Sequence, residues 1–278
     1  MSTIIGIVPS ASLGDMSKST MSDHYKVENN CTKRVTEAGC TPIGLTPVDY
    51  WLDEEALNLC DGFVVQGGAE FYPYHFQVMH HAVMHGKRYL GICLGEQLIY
   101  VYFELRKRVE ERGYQGDLVK AICNYIEEQG PGFSVQKRVS DHRSGPMTRG
   151  GEDAAKHDVT VVPGTLLHRV LGRETMRLAS FHDLNTPPEQ TLVTINAWSA
   201  KGDGVVEGTE YGEHILGVQG HPEVDNLLPE LFAFLDSPVL KDKNGSPVVL
   251  SEYLKKAANT YDVEEVISTF NQENIYCV

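Results

Sequence analysis

The 278-residue sequence has no C-x-x-C pair. Its six cysteines, Cys31, Cys40, Cys60, Cys93, Cys123 and Cys277, are spaced neither as a disulfide framework nor as a zinc knuckle. No apolar run approaches the length of a membrane span. The first residues, MSTIIGIVPSASLGDM, carry no basic stretch and too few apolar residues for a signal peptide. Cys277 stands second from the end, so the terminus is not a prenylation box. Positive charge is scarce: 24 Lys and Arg face 38 Asp and Glu, and a formal net charge of -14 repels a nucleic-acid backbone. Internal repeats and low-complexity segments are also missing. These absences argue against a membrane protein, a nucleic-acid binder and a disulfide-stapled secreted domain. They leave an acidic protein suited to a reducing cytoplasm.

What is present is ordinary for a folded protein: 41% hydrophobic and 22% charged residues, with enough length for a sizeable core. Short β-branched runs recur at 3–10, 41–47 and 62–68 and again just before Cys93. Between them, helical spacing is predicted over 23–40, 53–60 and 73–86. Strands alternating with helices predict parallel βαβ units with both sheet faces covered. Residues 103–129 read as a charged helical stretch, and 130–156 as a polar, Gly-rich loop. Five further strands are predicted at 157–163, 176–181, 191–199, 204–211 and 214–220. The expectation is one domain over 1–278, with an insertion at about 103–156 and an extension at about 225–278.

The decapeptide YLGICLGEQL, residues 89–98, places Cys93 between two glycines where a strand turns directly into a helix. Small flanking residues relieve the crowding of such a turn, as in a nucleophile elbow. A thiol needs a base, and the base needs an orienting group. LGVQGHPE, residues 216–223, supplies both, since His221 follows a predicted strand and Glu223 lies two residues on. In an extended stretch that spacing puts both side chains on one side. Histidine titrates near neutrality, so it can take a thiol proton and return it to a leaving amine.

GICLGEQ followed by GVQGHPE resembles the class I glutamine amidotransferases. DGFVVQGGAEFYP resembles the glycine loop of that superfamily, while SFHD (180–183) and GDGVVEGTE (202–210) resemble its γ-glutamyl-γ-aminobutyrate hydrolase, or peptidase C26, branch. The resemblance spans most of residues 1–225. It implies a flavodoxin-like α/β fold with a mostly parallel central sheet and helices on both faces. It implies Cys93 as nucleophile, His221 as base and acid, and Glu223 as orienting group. It places oxyanion donors on Gly67 and Leu94, and substrate contacts on Gln97, Ser180 and His182. Leu94, Gln66, Glu70, Ala179 and Gly220 depart from residues frequent in the branch, which bears on substrate rather than on reaction type.

The implied reaction is hydrolysis of a small γ-glutamyl amide through a γ-glutamyl thioester, with no metal and no cofactor. Alternatives are a glutaminase subunit serving a partner synthase, a non-catalytic binding protein on the same scaffold, and a redox-sensor relative. The His-Pro-Glu segment separates the chain from the last of these. No nucleic-acid or membrane partner is expected, and assembly into a homo-oligomer is compatible with the sequence. His81 and His85, at i and i+4, lack the glutamate of a zinc-protease helix and read as an exposed or capping face. His142 and Arg143 read as solvated loop residues. ELRKRVEER (104–112) reads as a solvated helix face.

Overall fold

The computed structural model describes residues 2–12, 24–142, 156–224, 228–237, 240–241 and 276–277. The first half follows the βαβ expectation. Strand β1 (Ile4–Val8) is followed by the antiparallel pair β2 (Ser10–Ser12) and β3 (His24–Lys26) and by helix α1 (Asn29–Glu37). Strand β4 (Thr41–Gly44), helix α2 (Glu54–Leu59) and strand β5 (Gly62–Val65) follow. Helix α3 (Pro73–His85), strand β6 (Arg88–Ile92) and helix α4 (Leu94–Glu111) complete this half. Helix α5 (Leu118–Gln129) and strand β7 (Lys137–Arg138) then lead to β8 (Lys156–Val161) and α6 (Leu166–Leu171). Strands β9 (Thr175–Ala179), β10 (Leu184–Asn185), β11 (Thr194–Ser199), β12 (Val206–Tyr211) and β13 (Ile215–Val218) come next, and α7 (Pro229–Ala233) after them.

Nine strands form one mixed sheet in the order β4-β1-β5-β6-β13-β12-β11-β8-β9. The five strands from β4 to β13 run parallel, and the remaining neighbours pair antiparallel. The antiparallel neighbours β11–β12 and β12–β13 are joined by short connections, as such pairing permits, while helix α6 lies between β8 and β9. Alternate residues of the parallel strands supply two cores. Phe63, Tyr89 and Ile215 pack under α3, α4 and α5. Val64, Leu90, Leu216 and Val218 pack under α1, α6 and α7. Of the parallel strands, β5, β6 and β13 are buried throughout and β1 nearly so, and these read as apolar runs, while the edge strand β4 is partly exposed.

Two sequence expectations are corrected. The helix expected from residue 23 begins only at Asn29, because residues 24–26 pair with β2 and Tyr25 packs edge-on against Tyr74. Tertiary pairing here overrides local spacing. The charged stretch expected from residue 103, after the elbow helix, opens as the second half of that same helix, since α4 runs unbroken to Glu111. The break falls at Gly113 and Gly116, both at positive φ, and Asp117 caps the next helix by accepting from Lys120 N. The charged face of α4 does carry i,i+4 pairs, Glu104–Arg108 and Arg106–Glu110, each at 2.7 Å. Arg143 and most of the predicted extension lie outside the described residues.

Candidate active site

The site sits where β6 and β13 end side by side. Their register pairs Gly91 with Gly217 and Ile92 with Val218, so the residues just beyond each strand are neighbours. Cys93 has φ 53° and ψ -102°, a strained conformation for a residue with a side chain. Its N–H donates to Val218 O at 3.0 Å, tying the turn to β13. The flanking glycines are required by packing. A Cβ on Gly91 would strike Gly95, and one on Gly95 would strike the carbonyl of Val65. The strand-to-helix turn therefore folds only with both small residues.

His221 is held at three points. Its N–H donates to Ala179 O at 2.9 Å, its Nδ1 lies 2.7 Å from Glu223 Oε1, and its side chain meets the Cys93 thiol. With Nδ1 turned to the carboxylate, Nε2 is the nitrogen left for the thiol. Both His221 and Glu223 are buried. Burial pulls the imidazole pKa down, but Glu223 and the Cys93 side chain outweigh it and hold the ring well above its ordinary value. Arg34, itself buried, donates from Nε to Glu223 O at 3.2 Å and braces the turn.

Gly67 lies over this pair. A Cβ there would sit 2.9 Å from His221 Cε1 and 3.6 Å from Cys93 Cβ. Leu94 opens α4, where a backbone N–H has no helical partner. Gln66 fixes the glycine loop by accepting from Glu28 N at 2.8 Å and donating to Lys26 O at 2.5 Å. This gives the departure at Gln66 a structural use. Gly220 is equally constrained, since Leu178 and the Ala179 carbonyl leave no room for a Cβ.

A cavity of about 720 Å³ opens beside Cys93 and His221. Phe71, Val101, Leu105, Ile126, Phe133 and Phe181 give it an apolar lining, and Glu70 and Asp183 are its acidic residues. Helix α5 and the segment after it, through residue 136, form part of the wall. Gln97 lines the cavity, with its amide nitrogen donating to Leu184 O at 2.8 Å and to Gln219 Oε1 at 3.0 Å. Its oxygen accepts from Gln136 at 2.5 Å, leaving one lone pair for a ligand. His182 also lines the cavity, but its ring nitrogens turn to Leu184 O and Glu207. The expected contact of Ser180 with substrate is corrected. Ser180 is fully buried behind the wall, and its hydroxyl donates to His142 O at 3.0 Å.

Glu96 and His157, which no motif singled out, and His142, read as solvated, all matter here. Glu96 follows Gly95 inside the elbow helix and is fully buried, with its pKa lifted to about 8 by burial, against a lowering hydrogen bond from Thr209. His142, expected to be solvated, is buried between Asp203 and Glu207 at 2.9 and 3.0 Å. His157 Nε2 reaches the same Glu207 oxygen at 2.8 Å. Burial of His81 is a further correction; it packs edge-on against Phe63 rather than facing solvent.

The peptidase C26 family profile matches residues 74–223, more than half of the chain and the whole span from α3 to Glu223. The chain belongs to the peptidase C26 family. This C26 protein shares the class I glutamine amidotransferase fold and stands among hydrolases acting on C–N bonds. It is 26% identical over 226 residues to CTP synthase of Sulfurimonas denitrificans, a match covering 69% of this chain and 40% of that protein. CTP synthase of Thermus thermophilus is 26% identical over 202 residues, covering 62% of this chain and 34% of that protein. The chain thus spans well under half the length of these synthases. Among solved structures, the glutaminase domain of Trypanosoma brucei CTPS with bound acivicin has a TM-score of 0.56 at 16% identity, covering 84% of this chain and 92% of that one. A putative GMP synthase subunit from Thermoplasma acidophilum has a TM-score of 0.51 at 16% identity, covering 93% of this chain and 98% of that one. No helix among the described residues is long and apolar enough to cross a membrane.

Proposed function

We propose that this C26 protein hydrolyses the amide bond of a γ-glutamyl amine, with Cys93 as nucleophile. The observation that carries the reading is the strained Cys93 turn meeting a His221–Glu223 pair at the ends of adjacent parallel strands. In the proposed reaction the Cys93 sulfur attacks the γ-carbonyl carbon. The Gly67 and Leu94 N–H groups receive the developing oxyanion. The imidazolium of His221 then protonates the amine nitrogen as the C–N bond breaks, leaving a γ-glutamyl thioester. A water, deprotonated by His221, attacks the thioester, and glutamate leaves as the thiol is restored. Glu223 orients the ring and stabilises its charged form. The chain is proposed to act as one domain through residue 278, with α5 as cavity wall.

The cavity suggests which amine leaves. Its volume falls in the range that holds drug-sized ligands, and the apolar lining suits a released amine with an aliphatic or aromatic body. The likeness to CTP synthases favours a second reading, in which the chain hydrolyses glutamine and passes ammonia to a separate synthase. Steady-state kinetics on the purified chain distinguish the two. The substrates are glutamine, γ-glutamyl butylamide and γ-glutamyl anilide, with no partner added. The first reading expects the anilide and butylamide to be cleaved with higher kcat/KM than glutamine. Negligible cleavage of all three by the chain alone, with glutamine cleavage appearing when the assay is repeated with a synthase supplied, would establish the second.

A further inference from the structure

Behind the cavity wall, His142, His182 and Glu207 bring three ligand atoms within 4.8 Å of one another. We propose that they bind a divalent transition-metal ion, Zn²⁺ foremost, which staples the cavity wall. The proposal is independent of the thiol reaction.

His182 Nδ1 lies 3.1 Å from Leu184 O, and a carbonyl only accepts, so that nitrogen carries a proton. In the neutral ring Nε2 is then a bare lone pair. It faces Glu207 Oε1 at 3.6 Å and has no hydrogen-bond partner among the described residues. His142 differs. Its Nε2 donates to Asp203 Oδ2 at 2.9 Å, and its Nδ1 faces Glu207 Oε1 at 3.0 Å, where Glu207 holds the imidazole above its ordinary pKa; a metal ion would take the place of the proton between them. Glu207 Oε2 is likewise unpartnered. One bare lone pair, one imidazole nitrogen whose proton a metal can displace, and a carboxylate converge in a buried space, and a cation at their centre would be coordinated by all three.

The surroundings fit the same conclusion. A metal-bound histidine donates its other N–H to a carboxylate or a backbone carbonyl, and here Asp203 and Leu184 O take those places. A ligating carboxylate is itself hydrogen-bonded, and His157 Nε2 lies 2.8 Å from Glu207 Oε1. Tetrahedral Zn²⁺ with bonds of about 2.0–2.1 Å sets its ligand atoms roughly 3.3 Å apart. The two separations from Glu207 Oε1, 3.0 and 3.6 Å, bracket that spacing, and all three ligand atoms lie within 4.8 Å of one another. Two imidazoles and one carboxylate select first-row transition metals over Ca²⁺ and Mg²⁺. A divalent ion also balances the charges of Glu207 and Asp203. The ligands come from the segment after β7, the segment after β9 and strand β12, so one ion joins three separate stretches. His182 is at once ligand and cavity lining, which ties the ion to the shape of the substrate site.

The test uses the full chain, stripped with a chelator, reloaded with Zn²⁺ and freed of excess ion. Elemental analysis should find about one zinc per chain, and X-ray absorption should show nitrogen and oxygen at about 2.0–2.1 Å with no sulfur shell at about 2.3 Å. Glu207→Gln and His182→Gln should lose the ion, while Cys93→Ser should keep it. Zinc should also raise the Tm of the parent chain, since binding to the folded state alone is stabilising. If the variants do not fold, the absorption spectrum of the parent chain still decides. Absence of retained metal would overturn the proposal and leave a histidine network sharing protons around Glu207. A sulfur shell would overturn it too, by assigning the metal to the cysteines.

Discussion

Replacing Glu96 by glutamine should stabilise the protein, and by an amount that grows with pH. Glu96 is fully buried in the elbow helix, with one oxygen accepting from Thr209 Oγ1 at 2.8 Å and the other unpartnered. Burial lifts its carboxyl from 4.5 to about 8, with a smaller push from Glu207. The unfolded chain releases this proton near 4.5, while the folded protein keeps it until about 8. Between those values the folded state binds more protons, so stability falls as pH rises. Below the window the group contributes nothing, and above it the penalty is constant. Each pH unit in the window costs about 1.4 kcal/mol, so from pH 5 to pH 8 the loss is on the order of 4 kcal/mol. The substituted glutamine is neutral throughout and keeps an oxygen for Thr209. The assay is urea unfolding of parent and variant at pH 5, 6, 7 and 8, monitored by fluorescence. All other titrating groups cancel in the difference. The gap between the two proteins should widen steadily with pH, and thermal midpoints should separate by roughly 2–4 °C per kcal/mol. A gap that is constant across the range, or a variant less stable at pH 8, would refute the assignment of a neutral buried carboxyl.

Other outcomes follow from the same geometry. Gly67→Ala should lower kcat by at least about tenfold with little change in Tm, because the new methyl must displace a pinned His221 and small misplacements are costly; an unchanged kcat would mean the loop does not overlie the reacting groups. Glu223→Gln should impair turnover less than His221→Ala, since the orienting group shares its task with the Ala179 carbonyl while the proton carrier has no substitute; the reverse order would reassign both roles. His221 is held above its ordinary pKa, so its contribution to stability is full below about 6.5 and lost as pH rises through the folded value. The stability gap between the parent chain and His221→Gln should therefore shrink on the alkaline side, and urea titrations that show it constant would contradict the paired imidazolium.

How much was legible depended on how local each feature is. The turn around Cys93 is written in seven consecutive residues, because Gly91 and Gly95 must both be small for strand and helix to meet. His221 and Glu223 are equally local, two residues apart beyond one strand. The parallel half of the sheet was visible as apolar runs between helical spacings. Helix α6 was missed although Thr165 and Gly172 cap it, because its six residues are too few to show a period. The strand at 24–26 depends on a partner strand and an aromatic neighbour, neither of which is local. The His142–His182–Glu207 cluster was the least legible. Its members are far apart in sequence, and His142 lies in a polar stretch whose composition reads as solvent-exposed. Only the fold buries it.

The most direct measurement is covalent trapping at Cys93. The purified chain is treated with a glutamine-like chloroketone or diazo-ketone and analysed by intact mass and peptide mapping. One adduct per chain should form, on Cys93, leaving Cys31, Cys40, Cys60 and Cys123 unlabelled, and His221→Ala should slow it markedly. Burial raises the pKa of each of those four thiols, so they should be slow to react. Labelling spread evenly over the cysteines, or an adduct that forms as fast without His221, would contradict the account of Cys93 as the nucleophile.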